Sequence, residues 1–204
     1  MKSTEGEGVF AGIFAGGQSQ RMGQDKSLMF DNVERLRRIL LDMGCENIFI
    51  LCGDLTRAHH FQPPFLCDPE PNMGMHELVI WLTQTYPGTW CFMPCDSFLF
   101  DMNTCQEWLS AMKTGCVPLD RHGQRQPLFS IVPDHVVLNK QSQSMLELTQ
   151  QLPELIVSNP VAFTNFNTND EIYEHIDALT QLHGTVALSK WLQPLEGTRD
   201  VLQP

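Results

Sequence analysis

Val9-Phe10-Ala11-Gly12-Ile13-Phe14-Ala15-Gly16-Gly17 runs into Gln18-Ser19-Gln20-Arg21-Met22-Gly23-Gln24-Asp25-Lys26, and the fold turns on how this stretch is read. Val9–Ala15 is a short apolar run ending in adjacent glycines, the pattern of a buried parallel strand that feeds a loop. Adjacent glycines let the backbone turn tightly and bring its N–H groups close to phosphate oxygens. Arg21 and Lys26 add two cations: a guanidinium fork that can grip a phosphate at two points, and a point charge suited to a leaving pyrophosphate. Phosphoryl-type transfers depend mainly on positioning and charge stabilisation, so this inventory suits such chemistry. Two better-known phosphate motifs are excluded. A P-loop needs Gly directly before Lys, and here Gln24-Asp25 intervenes; a dinucleotide fingerprint needs separated glycines. The plain alternative is a flexible turn with two solvated cations.

Outward from that loop, strand and helix signals alternate. Val33–Met43 places Leu36, Ile39, Leu40 and Met43 on one helical face, with Arg35, Arg37 and Arg38 expected on a solvated one, and Gly44 stops the helix. Strands are expected at Asn47–Cys52, Phe65–Cys67, Trp90–Pro94, Cys116–Leu119, Gln126–Val132 and Val161–Phe163. Helices are expected at Met75–Tyr86, Asn103–Lys113 and Gln143–Leu152. Thr168-Asn169-Asp170-Glu171 has capping-box spacing and opens a last helix bearing Ile172, Ile176 and Leu179. Residues 8–183 read as one domain, and residues 184–204 as an appended tail. Alternation of this kind predicts an α/β fold with a mainly parallel sheet and helices on both faces. Ligands in such folds bind beyond the carboxyl ends of the strands, which brings Gly16-Gly17, Asp68 and Asp96 toward one place.

Composition narrows the functional classes. With 204 residues, 42% of them apolar, the chain can bury one α/β core. A net charge of −11 without a long basic stripe argues against nucleic-acid binding, though not against a small anion held by a local nest. No apolar run approaches the roughly 20 residues that span a bilayer, and the polar start Met1–Gly8 is unlike a signal peptide. The seven cysteines (45, 52, 67, 91, 95, 105 and 116) match no zinc spacing and read as reduced packing residues of a cytoplasmic protein. His59-His60 lacks a third ligand at metal spacing, and His122 and Arg125 flank a plain turn at Gly123. Trp81, Trp90 and Trp108 are core candidates.

Ala15-Gly16-Gly17, Arg21-Met22-Gly23 and Asp25-Lys26 resemble the signature of the sugar-nucleotide and cofactor nucleotidyltransferases. Within them the chain is most similar to the molybdenum cofactor guanylyltransferases, which join GMP, from GTP, to the phosphate of molybdopterin and release pyrophosphate. The resemblance implies a three-layer, Rossmann-like nucleotidyltransferase fold, with Mg²⁺ as cofactor and GTP and molybdopterin as ligands. Molybdoenzymes or cofactor-biosynthesis proteins are the protein partners it admits. It implies that Ala15, Gly16, Gly17, Arg21 and Lys26 hold the triphosphate, and that Arg21, Lys26 and Asp96 act in the transfer. Asp96, in Met93-Pro94-Cys95-Asp96, resembles the family's Mg²⁺-holding aspartate, and one hard carboxylate past a strand end suits that ion. Asp68 resembles the acidic residue that contacts the nucleotide. Gln126-Pro127-Leu128-Phe129 resembles a strand on the acceptor side. Asn165 and Asn167, in Asn165-Phe166-Asn167-Thr168, resemble the paired amides of the acceptor pocket, which can read the mixed donor and acceptor edge of a pterin. Part of that motif is also explained by helix capping. The chain departs from the family at Met75, His76 and Glu77, where a Pro and a small residue are usual, and in the short segment Ser27–Asn32. Those departures leave open cytidylyl transfer, a different phosphorylated acceptor, or binding without transfer.

Overall fold

The computed structural model describes residues 8–16 and 25–191, so Gly17 and Arg21 lie outside the described residues. Five strands make the main sheet: β1 (Gly8–Phe14), β2 (Asn47–Gly53), β3 (Phe65–Cys67), β4 (Gly88–Pro94) and β6 (Ile131–Val132), in the order β3-β2-β1-β4-β6. The first four are mutually parallel, and only β6 runs antiparallel, against β4. Central β1 is hydrogen-bonded on both sides, which its continuous apolar sequence allows.

Side chains alternate across this sheet with the two-residue period of a strand. Ala11, Ile13, Ile50, Cys91 and Met93 face one layer, built from Leu36, Ile39 and Leu40 of α1 (Asn32–Asp42) and from Cys105 and Trp108 of α4 (Met102–Leu109). Phe14, Leu51, Trp90 and Phe92 face the other, built from α3 (Met75–Thr85) and α5 (Met145–Leu148). The result is the expected three-layer α/β arrangement. Each fully buried side chain of Leu or Phe size contributes roughly 1.5–3 kcal/mol to it. Trp90 and Trp108 are fully buried, while Trp81 is half-buried.

A third cluster secures the remaining elements. Met29, Phe30, Phe98, Leu99 and Phe166 pack with Ile172 of α6 (Asn169–Glu174), Leu179 of α7 (Ile176–His183) and Leu188 of α8 (Thr185–Trp191). Among the described residues no helix is long and apolar enough to cross a membrane.

Several elements differ from the sequence reading. Val161–Phe163 belongs to a 3-10 turn, Pro160–Phe163, because Pro160 fixes a helical φ at its first position. Gln126–Val132 pairs as a strand only at its end, as β6. The expected helix 143–152 is one turn, α5, capped by the Ser144 hydroxyl. The Thr168–Glu171 capping box forms as expected, but the helix breaks at His175. Helix α2 (Leu55–Ala58) follows β2, and α8 lies within the stretch read as a tail. Strand β5 (Val117–Pro118) pairs with β7 (Glu154–Leu155) in a separate two-stranded sheet. Ser27–Asn32 is accommodated by a 3-10 turn, Lys26–Asp31, with Phe30 and Asp31 at φ of 59° and 50°. That left-handed conformation is costly for a bulky residue, and burial of Phe30 edge-on against Phe98 offsets the strain.

Candidate active site

The carboxyl ends of β1, β2 and β4 are tied together past the strands themselves. The Ala15 N–H donates to Leu51 O at 2.9 Å, and the Cys95 N–H donates to Phe14 O at 3.0 Å. Gly16 then passes directly over Gly53. A Cβ on Gly16 would lie 2.8 Å from the Gly53 nitrogen and 2.9 Å from its Cα, so only glycine fits. Gly53, at φ +80°, turns the chain into Asp54, whose carboxylate caps α2. Gly16, Gly53, Asp54, Asp68, Asn72 and Met73 are among the residues lining a cavity of ≈ 690 Å³, a size suited to a nucleotide-sized ligand. Asp68 is anchored by its N–H to Gly53 O at 2.6 Å. Burial, and then the neighbouring Asp54, push its carboxyl above the usual carboxylate range.

Lys26, at the start of the 3-10 turn, places its ammonium 2.8 Å from Asp96 Oδ2. It also donates to Asn167 Oδ1 at 3.1 Å. Burial pushes the Asp96 carboxyl above its ordinary range, and the Lys26 charge and hydrogen bond oppose that push. The loop that presents Asp96 is held from α1. Asn32, fully buried, donates to Cys95 O at 2.7 Å. Arg35 donates to the carbonyls of Phe100, Ser97 and Phe98 at 2.5, 3.1 and 3.3 Å. Arg35 is therefore not on a solvated face, as its helical position suggested; burial lowers its guanidinium to about 10, with Asp101 opposing.

Asn165 and Asn167 line a second pocket of ≈ 310 Å³, together with Asp120, Arg121, Gln126 and His175. The Asn165 amide donates to Gln126 Oε1 at 2.8 Å, and Gln126 donates to Asp120 Oδ2 at 2.7 Å. Asn165 Oδ1 and His175 Nε2 are buried without a hydrogen-bond partner among the described residues. Such atoms are costly unless a ligand satisfies them.

Of the sequence-derived residues, Gly16 and Asp68 line the larger pocket and Asn165 and Asn167 the smaller, while Ala15 leads into Gly16 and Lys26 pairs with Asp96. Lys26 reaches both Asp96 and Asn167. Sequence reasoning did not find Asn32, Arg35 or Arg57 as site residues. Asn32 and Arg35 act on carbonyls more than sixty residues away, and no local signal announces such partners. Among the described residues no group of three or more His, Cys, Asp or Glu side chains gathers for a metal. Asp96 offers a hard carboxylate, which fits an ion that takes one or two protein carboxylates and draws its other ligands from substrate phosphates.

A mainly parallel sheet, with Gly16 packed over Gly53 at its carboxyl edge and the Lys26–Asp96 pair past β4, fits the class of nucleotidyltransferases. Residues 11–197 match the model of the MobA-like NTP transferase domain, and the chain belongs to that family. It is 26% identical over 186 residues to a molybdenum cofactor guanylyltransferase of Cupriavidus metallidurans, covering 80% of this chain and 92% of that protein. Among solved structures, a protein of Aquifex aeolicus VF5 superposes with a TM-score of 0.61 at 15% identity, over 78% of this chain and 91% of that one. The bifunctional IspDF of Campylobacter jejuni superposes with a TM-score of 0.60 at 9% identity, over 82% of this chain and 54% of that one. At such identities the two structures speak to the fold alone.

Proposed function

We propose that the chain transfers GMP from GTP to the phosphate of molybdopterin in the cytoplasm. An acceptor phosphate oxygen attacks the α-phosphorus in line; the new O–P bond forms as the bond to the β-phosphate oxygen breaks, and pyrophosphate leaves. An anionic phosphate nucleophile needs no protein base. Ala15, Gly16 and Gly17 cradle the triphosphate, while Arg21 and Lys26 stabilise the charge that moves onto the leaving group. Asp68 places the nucleotide, and Asn165 and Asn167 receive the pterin. Asp96 would hold Mg²⁺, which supplies neutralising charge to the phosphates when bound. The observation that carries this reading is the Lys26 ammonium, shared between Asp96 and an amide of the second pocket. The guanylyltransferase relative supports the choice of substrates.

A second reading keeps the chemistry and changes the base or the acceptor. It is favoured by Asn72 and Met73, which line the larger cavity just before the positions 75–77 that depart from the family. Thermal-shift titrations with GTP, CTP and ATP, each with Mg²⁺, separate the readings, because a ligand bound only by the native state raises its stability. GTP is expected to give the largest shift, and GTP with molybdopterin to release pyrophosphate. A larger shift with CTP, or no pyrophosphate, overturns the proposal.

A further inference from the structure

Arg57, on the single-turn helix α2, points its guanidinium back across the end of the sheet. Its Nη2 donates to Ala15 O at 2.8 Å, to Ser27 Oγ at 3.0 Å and to Asp25 Oδ1 at 3.1 Å. The ion pair to Asp25 Oδ2 closes to 2.9 Å, with both side chains largely buried. The helix that carries Arg57 is itself fixed, since Asp54 Oδ1 accepts from the N–H groups of Thr56 and Arg57 at 2.8 and 3.1 Å.

These contacts reach both sides of the glycine-rich stretch. Ala15 is the residue with which β1 hands over to Gly16. Asp25 and Ser27 flank Lys26 directly. Asp25 is also bound from within its own turn, where Oδ1 accepts from the Ser27 N–H at 3.0 Å and from the Ser27 hydroxyl at 2.7 Å. One guanidinium therefore ties the two residues that flank Lys26 to the end of β1.

We propose that Arg57 is a positioning residue for nucleotidyl transfer: by bridging Ala15 O to the Asp25 carboxylate it fixes where Lys26 starts, and so where its ammonium meets the triphosphate. This rests on the function proposed above. A lysine chain is long and flexible, so its ammonium is only as well placed as its backbone. Charge stabilisation in a transfer of this kind demands placement to well under an ångström, and a misplacement of about 1 Å can cost on the order of a hundredfold in rate. The Arg57 contacts with these three residues are internal to the protein, which separates it from the phosphate-gripping cations Arg21 and Lys26.

The test compares Arg57→Ala and Arg57→Lys with the wild type by residue-resolved hydrogen exchange and by steady-state kinetics. The Ser27 N–H bonds to Asp25 Oδ1 and the Leu28 N–H to Asp25 O. In Arg57→Ala both amides should exchange at least about tenfold faster, while β1 and β4 amides stay protected. Turnover should fall about 10- to 100-fold, with the KM for GTP changed by less than about threefold. Added guanidinium ion at millimolar concentration should recover part of the turnover, a response that loss of packing alone does not give. Arg57→Lys should fall between the two, since an ammonium keeps the charge but not the fork. If Arg57→Ala does not fold, Asp25→Asn keeps the cap and removes the ion pair, and the same loss is expected of it. Unchanged exchange at Ser27 and Leu28, or wild-type turnover in Arg57→Ala, overturns the inference. If the wild type transfers no nucleotide, the proposed function falls, and the exchange comparison, which needs no ligand, alone decides whether Arg57 positions Lys26.

Discussion

The two pockets are built by different means. The larger one sits over the ends of parallel strands, and its shape comes from main-chain contacts: the Ala15 and Cys95 amides extend the ladder, and Gly16 lies on Gly53. The smaller one lies among two-residue strands and single turns, and side chains hold it. Gln126 links Asn165 to Asp120, Arg121 pairs with Glu174, and Arg125 reaches the carbonyls of Thr149 and Leu152. On the proposed function, the rigid backbone edge suits a triphosphate, which is the same in every nucleotide. An acceptor differs from enzyme to enzyme, and a side-chain lattice can be changed one residue at a time without disturbing the sheet. Lys26 bridges Asp96, just past β4, and Asn167 of the smaller pocket.

If the chemistry belongs to the backbone-built edge, Asp96→Asn should show the largest loss. The substitution keeps the shape of the side chain and removes the carboxylate charge. It leaves the Lys26 ammonium beside a neutral amide and takes away the carboxylate proposed to hold the metal. Turnover should fall by roughly 10²–10³-fold or more, by analogy with removal of a single electrostatic group from an active site. The fold should persist, because Asn32 and Arg35 hold this loop through its carbonyls and not through Asp96. Measured turnover near the wild-type level, with an unchanged melting curve, would place the chemistry elsewhere.

The side-chain-built pocket should yield a smaller and differently shaped loss. Asn165→Ala removes one amide, leaves Gln126 Oε1 without its donor, and deletes the buried, unpartnered Oδ1. One neutral hydrogen bond is worth about 1–1.5 kcal/mol, so the acceptor KM should rise on the order of tenfold. The thermal shift with GTP and Mg²⁺ should stay unchanged. An equal loss of nucleotide affinity would erase the distinction between the two pockets.

The same contrast explains what could be read in the sequence. Val9–Ala15, Asn47–Cys52 and Trp90–Pro94 are continuous apolar runs ending in glycine or aspartate, and β1, β2 and β4 occupy nearly the same residues. Gly16, Lys26 and Asp96 come with them, because the end of a buried parallel strand is also where ligands bind. Between residues 116 and 168 the signals are weak for a physical reason. Gln126–Val132 makes only a two-residue strand, because Pro127-Leu128 forms a turn closed by the Phe129 N–H donating to Gln126 O at 2.9 Å. Val161–Phe163 is β-branched and aromatic, yet Pro160 and tertiary burial make it a 3-10 turn. Asn165 and Asn167 were legible only through family resemblance. Arg35 carried a misleading signal: its place in the helical period suggested solvent, whereas its guanidinium turns toward the carbonyls after β4. No periodicity records a contact of that kind.

The smallest expected effect tests how the backbone-built edge is braced from behind. His183, at the end of α7, contacts Phe98 O at 2.7 Å and stacks on Phe30 with ring centroids 5.0 Å apart. Burial, and then the Arg35 charge, lower its imidazole to about 4, with the Phe98 hydrogen bond opposing. The folded ring is therefore neutral at pH 7, and its N–H donates to the Phe98 carbonyl. In the unfolded chain the same ring titrates at about 6.5. Above that pH neither state binds the proton, so His183 adds no pH dependence. Between pH 6.5 and about 4 the unfolded chain takes up a proton that the folded one refuses, so stability falls as the pH falls; below about 4 both are protonated and the loss levels off. His183→Gln keeps an N–H donor and removes the titration. Melting temperatures at pH 7.5 and pH 5 should therefore drop by a few degrees more in the wild type than in the variant, while carboxylate contributions cancel between them. Parallel curves would mean that the imidazole titrates alike in both states. The brace beneath the Asp96 loop would then be one that water reaches.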